Sequence, residues 1–424
     1  HTSGLRSYTD KPEFMSKVTK PIEPPKLIEW FKSDPPDFKP GRGFHYNNSA
    51  YFLLGEIVAQ LAGKPFAEHL RETIFEPFEM HDTGVFVNAK PPEAMALGYS
   101  WADGKYSKAI DWDMSWAGGA GALYSTVGDL YRWNEALYGG KVLEAEMFKR
   151  ATTPNPLPDD ADGMNYGYGL VISEIRRLPT IAHGGGLNGW STYLVRLPEQ
   201  KVTVVALSNA QPGPPKFSPV GIARDLAERL LADEIAKRPG PTVDTAVDPK
   251  TFAAYVGRYD YKAGVMRVTV DGDQLFGQLT GQSKLRFYPK GRDAFFLKEA
   301  DADLEFRRAA DGQVTGVRHS QNGNLFTAPR LNKLADDLTA DQVEKFVGKY
   351  LYGLTTVMTV TRDENQLFAQ LTGQPRFPIF PIAENEFEWH VVQAKVRFVK
   401  TESGTVLYGE HTQNGATSKV LKIK

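Results

Sequence analysis

The nine residues Gln274-Leu275-Phe276-Gly277-Gln278-Leu279-Thr280-Gly281-Gln282 return as Gln366-Leu367-Phe368-Ala369-Gln370-Leu371-Thr372-Gly373-Gln374, 92 positions later and with one exchange. Phe306 and Phe398 keep that offset, as do His319 and His411, and Gln321-Asn322-Gly323 keeps it with Gln413-Asn414-Gly415. Tyr255-Val256-Gly257-Arg258-Tyr259 returns as Phe346-Val347-Gly348-Lys349-Tyr350, offset by 91. Collinear matches of this kind mark a duplication. Within each copy short alternating segments are separated by turn residues such as Asp271-Gly272, and helical periodicity is scarce. Such a pattern predicts a small antiparallel β-barrel or sandwich, used twice. The copies are expected at residues 250–331 and 339–424.

The first half of the chain reads differently. Leu53, Leu54, Ile57, Val58 and Leu61 recur on one helical stripe that ends at Gly63, and a second helix is expected from Pro65 through Phe66, Leu70 and Ile74. Ser125-Thr126 precedes another amphipathic run. Leu194–Leu197 and Lys201–Leu207 flank Pro198-Glu199-Gln200 as a hairpin would. A last helix is expected over 220–235. Lys237-Arg238-Pro239-Gly240-Pro241-Thr242 then offers nothing to bury. We therefore place one mixed domain at 1–236 and a linker at 237–249.

Composition removes several functional classes. The 424 residues carry 50 Lys and Arg against 51 Asp and Glu, a net charge of −1, so no broad basic field is available for nucleic acid. Cysteine is absent, which excludes disulfides, thiolate metal sites and thiol catalysis. No cofactor or metal is expected. No apolar run approaches the ~18–20 residues of a membrane-spanning helix.

Taken singly, the motifs are weak. Gly184-Gly185-Gly186-Leu187-Asn188-Gly189 fits G-x-G-x-x-G, but strand-like Trp190–Val195 follows where a dinucleotide site needs a helix. Asp159, Asp160 and Asp162 sit in a Pro-flanked loop and read as solvated rather than as a calcium site. Tyr46-Asn47-Asn48 precedes a helix, with Asn48 or Ser49 as its N-cap on a local reading. Asn47-Asn48-Ser49 is also a formal glycosylation sequon. His183 could be a turn residue only.

Read in order, these pieces gain meaning. His1-Thr2-Ser3-Gly4-Leu5, Tyr46-Asn47-Asn48, Glu76-Pro77-Phe78-Glu79-Met80-His81-Asp82-Thr83-Gly84, Ala120-Gly121-Ala122-Leu123-Tyr124-Ser125-Thr126 with Asp129-Leu130, His183–Trp190 and Leu207-Ser208-Asn209 follow one another. The series resembles the penicillin-recognising serine hydrolases: the branch of class C β-lactamases, DD-peptidases, related esterases and D-aminopeptidases. The appended repeats look most like the three-domain D-aminopeptidase arrangement. The resemblance implies an α/β (α+β) β-lactamase/transpeptidase-like domain, incomplete at its N-terminus, followed by two small antiparallel lipocalin-like β-barrel domains.

The resemblance also assigns roles. Tyr46 matches the tyrosine of Y-x-N, a general base or proton shuttle. A phenol with an ordinary pKa near 10 needs nearby positive charge for that role. Asn48 matches the asparagine that orients the substrate's acyl-side amide. His183 and Gly185 match an H-x-G motif on an edge strand, where glycine permits close approach of substrate, and the N–H near Gly186 would form half of an oxyanion hole. Trp112 and Trp116, in a Gly-rich stretch, read either as a pocket wall or as packing beneath a loop.

The family's nucleophile is the serine of S-x-x-K, and no serine of this sequence is followed by lysine at that spacing. The resemblance puts that motif before His1. The nucleophile and its lysine are then expected on a segment outside this chain, such as a complementary N-terminal fragment. A truncated sequence and a degenerate homologue that binds without catalysis are the alternatives. The expected activity is hydrolysis through an acyl-enzyme, on a small peptide, amide, ester or β-lactam. D-Aminopeptidase or amidase action is favoured over class C β-lactamase or DD-carboxypeptidase action. The competing reading is a non-catalytic protein that holds an apolar ligand in its barrels. Export to the periplasm or medium is expected by analogy alone, with the cytoplasm as the alternative.

Overall fold

The computed structural model describes residues 1–424 except 216, 239, 332–337, 353–355, 414 and 424, so Pro239 of the linker and Asn414 of the second Gln-Asn-Gly turn lie outside the described residues. Two compact units result: His1–Gly240 with Gln321–Leu325, and Pro241–Ser320 with Phe326–Lys424. Both repeats, apart from Gln321–Leu325 of the first, thus belong to one compact unit.

In the first unit a four-stranded antiparallel sheet runs β1 (Val171–Ile175), β2 (Leu178–Leu187), β3 (Trp190–Leu197), β4 (Val202–Ser208), in that order. The β3–β4 pair is the hairpin expected around Pro198. β1 is half the length of β2 and pairs only with Leu178–Ala182. His183–Leu187 consequently has β3 on one side and, among the described strands, nothing on the other. In an antiparallel pair only alternate residues bond a given neighbour, so part of this backbone is left to face outward.

Three helices build around the sheet and its flank: α1 (Asn48–Ala62), α2 (Val127–Tyr138) and α3 (Pro219–Leu230). Thr126 caps α2 through its hydroxyl, which accepts the Asp129 N–H at 3.2 Å. Ala223 and Ala227 press α3 onto Ile175, Leu178, Val195 and Leu197, because a methyl side chain lets helix and sheet approach closely. The helix expected over 220–235 is broken at Leu231 into α3 and a short Ala232–Lys237 helix. The helix expected after Pro65 is α-helical only over Phe66–Leu70 and widens to a π turn over Arg71–Phe75.

α1 corrects the expected stripe. Its buried residues are Ser49, Phe52 and Gly55, while Leu54, Ile57 and Leu61 are 50%, 48% and 83% exposed. Backbone approach decides the orientation: a Cβ on Gly55 would lie 2.9 Å from Gly119 Cα. The face that fits the Gly118–Ala120 turn is therefore the one with least side chain. The cap is also Asn47, whose Oδ1 accepts the Ala50 N–H at 2.7 Å, not Asn48 or Ser49. Asn47 is 1% exposed with both ends of its amide engaged, so the sequon is closed in the folded chain.

In the second unit each repeat is a meander of eight strands, Gly257–Asp260 to Asn324–Pro329 and Gly348–Tyr352 to Ala416–Ile423. The second closes into a barrel through Lys349–Leu351 against Leu421–Ile423. The last strand of the first returns to the first at the Tyr259–Arg330 bridge. Duplicated tyrosines lock both cores: buried Tyr259 donates to the Tyr255 carbonyl and buried Tyr350 to the Phe346 carbonyl, each at 2.7 Å. Phe252, Leu275, Phe287, Phe295 and Phe306 fill the first interior, and Phe346, Leu367, Ile379, Phe387 and Phe398 the second. Each such side chain contributes about 1.5–3 kcal/mol on burial.

The copies solve one packing problem in two ways. A Cβ on Gly277 would lie 2.0 Å from Phe287 Cζ, whereas the second copy has Ala369 and the smaller Ile379 at the corresponding positions. Gly277→Ala is expected to destabilise the second unit by about 1–3 kcal/mol in urea unfolding, and adding Phe287→Ile should recover most of the loss. No recovery in the double variant would refute the pairing.

The two repeats of this unit touch through His390, the second closed into a barrel and the first an open sheet. Its Nδ1 lies 2.5 Å from Asp260 Oδ2 and its Nε2 3.3 Å from Glu388 Oε1, and the ring stacks on Phe380 at 4.1 Å. The hydrogen bond to Asp260, then that carboxylate's charge, raise the His390 pKa against the opposing effect of burial. A raised histidine pKa gives stability that is complete below the unfolded value near ~6.5 and lost as pH rises through the folded value. The thermal midpoint of the second unit should therefore fall as pH is raised from about 6 to 8. Asp260→Asn should flatten that dependence; an unchanged slope would remove His390 as its source.

Candidate active site

The first nine residues are stitched across the start of α1. Ser49 Oγ accepts the Tyr8 N–H and donates to the Arg6 carbonyl, both at 2.9 Å, and the Asn48 N–H donates to Ser7 Oγ at 3.1 Å. Asn47 gives its side-chain N–H to the Leu5 carbonyl and its backbone N–H to His1 Nδ1, the latter at 3.0 Å. This stitching delivers Tyr46 and His1 to one place. Their rings are 4.1 Å apart, and His1 also meets Tyr51 at 4.9 Å and Tyr166 at 4.6 Å.

The end of β2 completes the cluster. His183 lies 6.3 Å from Tyr46 and 5.7 Å from Tyr166, ring to ring. Its Nε2 is 2.7 Å from the Tyr166 hydroxyl and its Nδ1 2.5 Å from the Gly184 carbonyl. Phe44 closes the flank against Tyr166 at 5.9 Å. Tyr46 and His183, 137 positions apart in the sequence, are thereby side by side. Gly185 and Gly186 follow on the exposed stretch of β2, Gly185 about 7 Å further along the strand.

No side chain in this ring cluster is a permanent cation. Burial, then the neighbouring Tyr51, push the Tyr46 phenol up, away from phenolate. Burial holds the His183 pKa below its ordinary value, with the Gly184 carbonyl opposing. Tyr166, 4% exposed, is pushed far up by burial. The positive charge that a Tyr46 base requires is therefore not supplied by the rings around it.

Asn48 is half-buried and donates its amide to Thr9 Oγ1 at 3.1 Å. Trp116 is 4% exposed; its Nε1 donates to the Lys20 carbonyl at 2.7 Å, and Tyr8, Phe14 and Trp30 surround it. It is core, not pocket wall. Trp112 is half-buried with its edge to Phe14 at 5.4 Å, packing under the same loop. Sequence reasoning missed His1, Tyr51 and Tyr166. His1 opens the H-T-S-G-L segment and Tyr51 falls one helical turn after Tyr46-Asn47-Asn48, but Tyr166 stands in no motif.

Gly185 also meets a constraint from its neighbouring strand. A Cβ there would sit 2.5 Å from Thr192 Oγ1 on β3, while at Gly186 it would meet nothing within 4 Å. The constraint at Gly185 comes from within the sheet. Gly185→Ala should lower the thermal midpoint, and Thr192→Ala in the same chain should restore it. Failure to restore would return the glycine to a role toward substrate.

The Beta-lactamase family profile matches residues 1–229, and a domain of unknown function, DUF3471, matches 242–328. Penicillin-binding protein 4* of Bacillus subtilis is 26% identical over 291 residues, covering 65% of this chain and 64% of that protein. A D-aminopeptidase of Brucella melitensis is 23% identical over 333 residues, covering 74% of this chain and 59% of its own length. The chain thus spans less than two thirds of either relative. Among solved structures, the D-amino acid amidase from Ochrobactrum anthropi SV3 complexed with L-phenylalanine is similar at TM-score 0.48 and 24% identity, over 56% of this chain and 70% of that one. With the family profile matching more than half of its length, the chain belongs to the beta-lactamase family.

Proposed function

We propose that this chain is the larger part of a serine hydrolase acting through an acyl-enzyme on D-amino-acid amides or short peptides with an N-terminal D-residue, with the nucleophilic serine and its lysine on a segment outside residues 1–424. The observation that carries the reading is the meeting of Tyr46 with His183 at the open stretch of β2. The D-aminopeptidase relatives support the substrate class. So does the charge of the cluster: a β-lactam or a DD-peptide presents a carboxylate, and these rings offer it no cation. An amide asks for none.

Two features support an external nucleophile. The sequence contains no S-x-x-K, and the raised Tyr46 pKa is what a site lacking its lysine would have. Apolar stripes are also left uncovered, Leu54, Ile57 and Leu61 on α1 and Ile222, Leu226 and Leu230 on α3, as further chain packing on this unit would require. In the complete site the serine oxygen attacks the amide carbonyl, and its proton passes by way of the lysine and Tyr46 to the departing amine. Backbone N–H groups near Gly186 hold the oxyanion. Water then attacks the ester, giving a proton to the same base and releasing the acid. Among the described residues, aromatic and aliphatic side chains occupy the interior of both repeats, which supports the hydrolase reading over the ligand-binding one.

The test is to isolate the protein from its natural source, treat it with a fluorophosphonate and map the adduct by mass spectrometry. Modification of a serine outside residues 1–424, with parallel loss of D-amino-acid amide hydrolysis, is expected. An adduct on a serine within these residues would overturn the nucleophile assignment. Neither adduct nor hydrolysis would overturn the enzyme reading.

A further inference from the structure

The hydrogen bonds around His183 form a directed chain. A carbonyl oxygen can only accept, so the 2.5 Å contact to Gly184 requires the proton to be on Nδ1. Nε2 of a neutral ring is then the acceptor, and the Tyr166 hydroxyl at 2.7 Å must be its donor. Tyr166 has one proton, and this bond spends it on His183. Tyr166 belongs neither to α1 nor to β2 and is almost fully buried.

We propose that Tyr166 is a positioning residue: its hydroxyl holds the His183 imidazole as the Nδ1–H tautomer and fixes the plane in which the ring faces Tyr46. In water the Nε2–H form is the commoner one, so the arrangement has to be imposed. With both nitrogens engaged, His183 has no N–H left for a substrate and presents an uncharged ring beside the base. The inference deepens the acyl-transfer reading and rests on it for the importance of His183, while the geometry it asserts can be measured without turnover.

The full chain labelled with [15N]histidine gives that measurement. His183 is identified as the signals lost in His183→Asn, and the other histidines report whether each variant keeps its fold. In the parent chain Nδ1 is expected protonated and Nε2 unprotonated at neutral pH. Tyr166→Phe, which keeps the ring and removes only the hydroxyl, should move the tautomer toward Nε2–H and raise the His183 midpoint by about one pH unit. If Tyr166→Phe does not fold, the tautomer of the parent chain decides alone. An Nε2–H ring in the parent chain, or a Tyr166→Phe variant that leaves tautomer and midpoint unmoved, would overturn the proposal. Because no catalysis is read, this result is independent of the fluorophosphonate outcome.

Discussion

Asn47 is tied at three points: its Oδ1 to the first turn of α1, its Nδ2 to the Leu5 carbonyl and its backbone N–H to His1. An N-cap alone is worth about 1 kcal/mol. Here the same side chain also anchors the strand of residues that crosses the helix start, so losing it would release His1 and turn Tyr46 away from His183. Ser49 repeats the device from inside the helix, gripping residues 6 and 8. The geometry of the candidate site depends on these polar ties more than on the apolar packing beneath it.

The sheet contributes by being uneven. A β1 as long as β2 would cover His183–Leu187 and leave no open backbone beside the rings. The short strand, and the glycine at 185 that fits under Thr192, together make a strand terminus that is rigid on one side and available on the other. Acyl-transfer chemistry asks for that combination, since backbone donors must be fixed in advance to stabilise a developing oxyanion.

Much of this was legible in the sequence, and the exceptions share a cause. The duplication, the closed barrel of the second repeat, the β3–β4 hairpin and the family all followed from local pattern and order; the first repeat instead forms an open sheet that also takes in the strand Gly163–Met164. The α1 stripe did not, because Leu54, Ile57 and Leu61 look like a core face until Gly55 is seen to meet Gly119 from a distant segment. Trp116 likewise reads as a site residue in a Gly-rich loop, and only the arrival of Tyr8, Phe14 and Lys20 makes it core. Tyr166 lies in no motif and acquires meaning only from a hydroxyl placed at an imidazole nitrogen. Periodicity reports which residues could be buried together; it does not report which neighbour arrives.

A chain that carries Gln-Leu-Phe-x-Gln-Leu-Thr-Gly-Gln twice must also keep each strand from joining the other copy's sheet while it folds, a hazard common to repeated domains. The glycine–phenylalanine and alanine–isoleucine pairs act as a lock with two different keys. The 366–371 strand placed in the first repeat would drive its Ala369 methyl into Phe287, and the 274–279 strand placed in the second would bring one methyl fewer to that interior. Divergence at two interior positions is enough to give near-identical strands separate addresses.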